Sequence, residues 1–320
     1  LSARPAGGPA YLEVEVRPPS PFRLGGGSAD RTLRVDRGIA TRLLTVDRAP
    51  VLARAWMRGP GLVAFRAEAV DPCALTIPVP CEEPRRAGRE DLATAIERMR
   101  FALGVDEDMA AFQQRFRRDP LVGPIIRRRP DFRPRRRPWP WEALAQAVCG
   151  QLIEARRAAV IERRIVGRWG ARLGAGRAAL RDTPPPALIA GRAPAELQSM
   201  DLSGARSVAL RKLATLAASG RCDIASPDSD PRLLAIPEVG PWTIQCLALF
   251  GRGDMDALPA GDLSYIKLVG HLANLGRRAT VPEVEEFYAP YEPYRGLVGS
   301  LTLAGLRRMV SEGPRLPLAA

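Results

Sequence analysis

The chain has 320 residues, 46% of them hydrophobic, with a formal charge of +13 and a pI near 10.6. That length supports two or three domains with their own cores and argues against wholesale disorder, and no apolar run approaches the roughly 20 residues that cross a bilayer. The basic excess suggests a polyanionic partner, nucleic acid first, although Lys212 and Lys267 are the only lysines and an arginine bias of this kind also follows from a GC-rich genome.

The opening residues 1–16 lack the apolar block of a secretory signal, so a cytoplasmic, nucleoid-associated location is expected; the chain begins at Leu1, which leaves a preceding segment open. From Tyr11 to about Cys81 the pattern is strand-like. YLEVEVR, TLRVDRG, ATRLLTV, GLVAFRAEAV and ALTIPVP alternate or run apolar in short blocks, which predicts an antiparallel sheet domain over 1–86. CEEPRRAGRED breaks the pattern, and DLATAIERMRFALGV returns apolar residues at helical spacing.

Residues 87–139 therefore read as a helix plus an Arg/Pro-rich connection attached to a helical body. In that connection, RRRPDFRPRRRPWPW, prolines forbid a regular helix and arginines argue against burial, so Arg127 to Arg137 are expected on the surface, either solvated or against a DNA backbone. Trp139 and Trp141 are expected to staple it to the next helix. That helix spans WEALAQAVCGQLIEARRAAVIERRIVGRW, amphipathic and interrupted at Cys149-Gly150-Gln151-Leu152. Pro194 can open a further helix, and Ser203 can cap another over ARSVALRKLATLAASG.

Five cysteines, Cys73, Cys81, Cys149, Cys222 and Cys246, are too scattered for a zinc knuckle and are expected to be core thiols; no metal site is expected. The most informative stretch runs from Leu234 to Lys267. A short helix can start at Pro231 behind Asp230, turn through Pro237 to Gly240 and restart at Trp242, leaving the first amides of the second helix free for a phosphate. About twenty residues on, Asp262 follows a Pro-Ala-Gly turn and can cap a helix over 263–275.

Hairpin, tryptophan and an acid after a turn resemble the helix-hairpin-helix DNA glycosylases, and GPWT followed by LPAGDL is most similar to the AlkA-type 3-methyladenine DNA glycosylase II branch. The resemblance covers roughly 141–306. It implies an α+β protein: an N-terminal antiparallel sheet domain followed by a mostly α-helical helix-hairpin-helix glycosylase body, with 140–255 carrying the hairpin and 256–320 completing a base pocket. It also implies a monofunctional enzyme of base excision repair that flips alkylated purines (3-methyladenine, 7-methylguanine) out of double-stranded DNA and hydrolyses the N-glycosidic bond, acting without membrane contact and as a monomer.

The resemblance makes Asp262 the carboxylate that stabilises an oxocarbenium-like sugar, a role compatible with capping. Trp242 falls where bifunctional relatives carry a Schiff-base lysine, so lyase chemistry is not expected; its ring offers a π face to a cationic base, or else packs the hairpin core. Tyr291 and Tyr294 match a second aromatic wall often built of tryptophan, and Cys246 is a small residue where some relatives place an aromatic, which suggests a roomier pocket. Gln151 and Leu152 match the turn that wedges into DNA, with burial of Leu152 as the plain alternative. Val239, Gly240 and Thr243 would hold phosphate.

Glu238 departs from the usual glycine of the hairpin and would face solvent or help hold a monovalent cation that bridges hairpin carbonyls to the phosphate. No cofactor is expected, and no cysteine follows Cys246 to build the iron–sulfur loop of endonuclease III relatives. Lys267 and the lone His271 are expected to be solvated and without catalytic role. A glycosylase for deaminated or oxidised purines, or a non-catalytic damaged-DNA-binding protein, are the competing readings.

Overall fold

The computed structural model describes residues 10–77 and 83–312, so Cys81 and the end of the strand expected over 74–80 lie outside the described residues. Five strands, β1 (Tyr11–Val16), β2 (Leu33–Asp36), β3 (Ile39–Val46), β4 (Ala49–Gly59) and β5 (Leu62–Ala69), form an antiparallel sheet in the order β1-β5-β4-β3-β2. The longest, β4, is central and is absent from the alternation-based prediction. The register explains why: Ala53 and Ala55 face Leu44, Phe65 and the helix packed on the sheet, while Leu52, paired with Leu43, joins Val70 and Leu180 on the opposite face. A strand covered on both faces needs no polar alternation.

That covering helix is α1 (Arg89–Leu103), which places Leu92, Ala95, Ile96 and Met99 in the sheet core. The opposite face is closed by a small sheet in which Leu75–Thr76 pairs with Arg172–Leu173, itself paired with Leu180–Arg181. The chain thus has the expected α+β architecture, a sheet domain followed by a helical body.

The body comprises α2 (Ala110–Phe116), α3 (Gly123–Arg128), α4 (Pro140–Gly150), α5 (Ala155–Trp169), α6 (Pro186–Ala190), α7 (Pro194–Gln198), α8 (Gly204–Ala218), α9 (Asp230–Leu234), α10 (Pro241–Cys246), α11 (Leu263–Leu272), α12 (Val281–Tyr288) and α13 (Arg295–Glu312). The Ser203 hydroxyl accepts from the Arg206 amide at the start of α8, and Pro194 opens α7, as their sequence signals predict. One core gathers around Trp141, Leu144, Ile161, Leu213 and Leu247, the other around Phe112, Tyr265, Tyr288 and Leu297. No helix among the described residues is long and apolar enough to cross a membrane.

Two expectations are corrected. Cys73 is exposed, whereas Cys149, Cys222 and Cys246 are core thiols. The Arg/Pro-rich connection is not wholly a surface segment: Arg136 and Arg137 are buried beside the sheet domain. Burial is compensated by carboxylates, since Arg136 pairs with Glu107 and donates to the Gly253 carbonyl, and Arg137 pairs with Asp30 and Glu162. Trp139 packs with the sheet core under the Arg98 guanidinium, and Trp141, inside α4, donates its indole N–H to the Pro184 carbonyl at 3.0 Å.

Candidate active site and nucleic-acid interface

The hairpin forms where its turn residues predict. Leu233 of α9 and Val239 of the turn are buried in the first core, which fixes the loop from beneath, and the Val239 amide donates to the Ile236 carbonyl at 3.0 Å. Gly240 starts α10 in an extended conformation, and its carbonyl accepts from the amides of Thr243 and Ile244. Glu238, exposed at the tip, has φ +73°, a left-handed conformation that a side chain disfavours and glycine does not. Beyond Cys246 the helix widens into a π-helical turn over Leu247–Arg252, which hydropathy patterning does not anticipate; Arg252 returns to pair with Asp230 at 2.7 Å and closes the motif.

Gly150 ends α4, and the next two residues diverge. Gln151 turns inward, donating from Nε2 to the Glu238 carbonyl at 2.6 Å and to Thr243 Oγ1 at 3.0 Å. Leu152 turns outward with φ +57° and is fully exposed, so the alternative of a buried leucine does not apply. An isolated apolar side chain held in left-handed backbone on an open surface has no packing rationale within the chain. Arg206 adds a second tie, donating to the carbonyls of Cys149 and Gln151.

Trp242 spans the gap between this turn and the acid. A methyl placed on Gly150 would lie 3.5 Å from the Trp242 Cη2, and one on Gly261 would lie 3.7 Å from its Cβ, so the indole lies within contact reach of both positions. The ring is partly exposed, yet its Nε1 is buried and without an acceptor. Asp262, next to Gly261, caps α11: one carboxylate oxygen accepts from the Ser264 amide at 2.7 Å, leaving the other available. The carboxylate is partly buried, and its field reaches two groups behind it. Burial first, then Asp262, pushes the Cys246 thiol well up. Burial likewise pushes the Tyr265 phenol up, with Tyr288, Asp262 and Cys246 contributing smaller electrostatic parts against a hydrogen bond to Ser300. Asp262, Trp242, Cys246 and the Gly150–Leu152 turn therefore share one neighbourhood.

Tyr265 is the member that sequence reasoning missed. Its signal is the spacing of three from Asp262, which places it one helical turn behind the cap.

Thr243 is buried, and its hydroxyl accepts from Gln151. Tyr291 and Tyr294 lie in a different setting. Tyr291 packs against Phe116, ring centroids 5.4 Å apart and planes tilted by 54°, and donates to both oxygens of Asp119, and Tyr294 lies 5.3 Å from Phe112, an aromatic cluster shared with α2. Burial, then Asp119, pushes the Tyr291 phenol up. Lys267 and His271 are exposed on α11.

No family model matches the sequence. The chain is similar to the probable bifunctional transcriptional activator/DNA repair enzyme AlkA of Mycobacterium tuberculosis, 28% identical over 210 residues that cover 64% of this chain and 42% of that protein. It thus spans less than half the length of that relative. Among solved structures, a 3-methyladenine DNA glycosylase from Archaeoglobus fulgidus has the same fold, with a TM-score of 0.69 at 15% identity over 92% of this chain and 98% of that one. An 8-oxoguanine glycosylase/lyase of Clostridium acetobutylicum bound to DNA has a TM-score of 0.61 at 12% identity over 86% and 97% of the two chains.

Proposed function

We propose that this chain, homologous to the helix-hairpin-helix DNA glycosylases, excises alkylated purines of the 3-methyladenine and 7-methylguanine type from double-stranded DNA as a monofunctional hydrolase. The observation that carries this reading is the shared neighbourhood of the Asp262 carboxylate and the Trp242 indole, joined through Gly261. In the proposed reaction Leu152 fills the space vacated by the extruded nucleotide, and the hairpin around Val239 and Gly240 holds the backbone beside it.

A purine methylated at N3 or N7 is cationic and already a good leaving group, so the protein needs little acid catalysis. Asp262 stabilises the oxocarbenium-like sugar and orients the water that attacks it, while the indole face receives the departing cation. Trp242 supplies no amine, and the two lysines stand elsewhere, Lys267 on the exposed face of α11 and Lys212 in α8, so the chemistry ends at an abasic site. Tyr294, the more accessible of the two tyrosines, would form a second aromatic wall apart from the indole, with Tyr291 packed behind it through Phe116, which contacts both rings.

A second reading, excision of oxidised or deaminated purines, draws on Cys246, whose small buried side chain leaves more room beside Asp262 than an aromatic would.

The test is release of bases from methylated duplex DNA by the native protein and by Asp262→Asn. Asparagine caps a helix as well as aspartate does, so the melting temperature should hold while the rate falls on the order of 10²- to 10³-fold. Equal release by both proteins overturns the assignment. A panel of duplexes carrying hypoxanthine or 8-oxoguanine separates the two readings.

A further inference from the structure

Gln151 sits in the turn from which Leu152 projects, yet its own side chain points the other way, under the hairpin. The orientation of its amide is fixed by chemistry. The Glu238 carbonyl 2.6 Å away can only accept, so the atom facing it is the NH2 group, and the same nitrogen reaches the Thr243 hydroxyl at 3.0 Å. Both ends of this tether are unusual. Glu238 and Leu152 each hold left-handed backbone with a side chain attached, and one side chain joins the first directly to the residue preceding the second. Strained residues persist only where their surroundings over-determine them, and Gln151, with Arg206 gripping the carbonyls of Cys149 and Gln151 from the far side, is what over-determines this pair.

From this geometry we infer that Gln151 is a positioning residue that couples the hairpin to the wedge, setting Leu152 at a fixed reach from the phosphate that the hairpin holds. The inference rests on the glycosylase reading above and deepens it. Gln151 does not touch the DNA bases; it acts through Leu152. Loss of the tether leaves the hairpin able to hold duplex but lets the leucine drift, which slows insertion and extrusion and leaves backbone affinity in place.

The experiment uses a duplex with 2-aminopurine beside a tetrahydrofuran abasic analogue, whose fluorescence rises when the neighbouring stack opens, together with binding to undamaged duplex. Gln151→Met preserves volume and removes the donor; Leu152→Ala removes the wedge. Gln151→Met is expected to slow the fluorescence rise on the order of tenfold with undamaged-duplex affinity within about twofold of native, and the double variant to be no slower than Leu152→Ala alone.

A Gln151→Met protein that opens the stack at the native rate overturns the inference, as does additivity of the two substitutions or a parallel loss of undamaged-duplex binding. Should Gln151→Met fold poorly, Gln151→Glu keeps the size but replaces the amide donor with a carboxylate oxygen that cannot donate to the Glu238 carbonyl; a slowed fluorescence rise supports the coupling and a native rate opposes it. A native protein that neither binds nor opens the abasic duplex sinks the glycosylase reading and this inference together, whereas native opening matched by Gln151→Met sinks the inference alone.

Discussion

The joint between sheet and helical body and the region of the hairpin and the Gly150–Leu152 turn both bury polar groups, but the joint buries charges in pairs whereas the hairpin region buries neutral groups. At the joint, Arg137 pairs with Asp30 and Glu162 and also reaches Gln146 at 2.8 Å; Arg42 of β3 pairs with Glu142 of α4; and Asp182 accepts from the amides of Thr45 and Thr183. Each charged group faces an opposite charge or a donor, although Arg42 Nε and one Glu142 oxygen have no hydrogen-bond partner, and a cavity lined by Asp30, Arg137, Glu142, Gln146 and Glu162 lies among them. At the hairpin, backbone is held left-handed at Glu238 and Leu152, the Trp242 Nε1 and the Gln151 side-chain oxygen are unpartnered, and the Asp262 carboxylate is partly exposed. The contrast shows that arginine does not by itself mark a nucleic-acid surface in this chain. Two arginines of the most basic run hold the molecule together, while Arg117, Arg118, Arg127 and Arg128 are exposed.

The sharpest way to break the joint is Arg137→Ala. Removing one partner from a buried ion pair leaves Asp30 and Glu162 without their counter-charge, and such truncations cost about 3–5 kcal/mol. Asp30 is the more exposed to this loss, because Arg137, together with hydrogen bonds from Ser28 and Thr32 and the field of Arg42, overcomes burial and holds its carboxyl far below the usual range. Chemical denaturation should register the full loss. The site lies elsewhere, so the fraction still folded should keep its affinity for undamaged duplex; a stability change under about 1 kcal/mol would remove the distinction between the two regions.

A smaller effect appears along the pH axis. Burial pushes Glu162 from its ordinary 4.5 up to about 7, against the pull of Arg137, and burial with the neighbouring Glu142 raises Asp182 in the same direction. Between those two values the folded chain keeps a proton at Glu162 that the unfolded chain has released. Stability therefore falls as pH rises from about 4.5 to about 7 and flattens above, by on the order of 3 kcal/mol for this group. Glu162→Gln, which cannot ionise, should reduce that slope, in urea melts taken across the window, to the part contributed by Asp182, and an unchanged slope would place the titration elsewhere.

The same contrast explains what could be read from residues alone. The hairpin, the cap at Asp262 and the Ser203 cap are written in local turn chemistry, with Pro, Gly and a short oxygen-bearing side chain at fixed offsets, and these the structure reproduces. β4 escaped because burial on both faces erases the period of two, and the buried arginines escaped because their partners Asp30 and Glu162 are remote in sequence. The π-helical turn after Cys246 and the inward turn of Gln151 depend on contacts between elements that no window of local sequence contains. For Tyr291 and Tyr294, resemblance suggested a pocket wall, whereas their neighbours on α2, Phe112 and Phe116, could be identified only once the chain had folded.

The smallest expected effect tests the strained side of the comparison. Glu238 places a carboxylate at the hairpin tip and bends the backbone to φ +73°, where a Cβ costs about 1 kcal/mol or more. Glu238→Gly relieves that strain, but it also frees the unfolded chain, which costs roughly 0.5–1 kcal/mol, so the net gain in stability should be small, at most about 1 kcal/mol. The larger consequence is electrostatic. An exposed acid beside the proposed phosphate weakens binding, and its removal should tighten duplex affinity several-fold at low salt, with the gain shrinking as ionic strength rises. A salt titration of duplex binding separates the two contributions: a gain that persists at high salt belongs to the backbone, one that vanishes belongs to the charge, and weaker binding at every salt concentration would mean that Glu238 itself serves the anchor, through its carboxylate or through the turn that it stiffens.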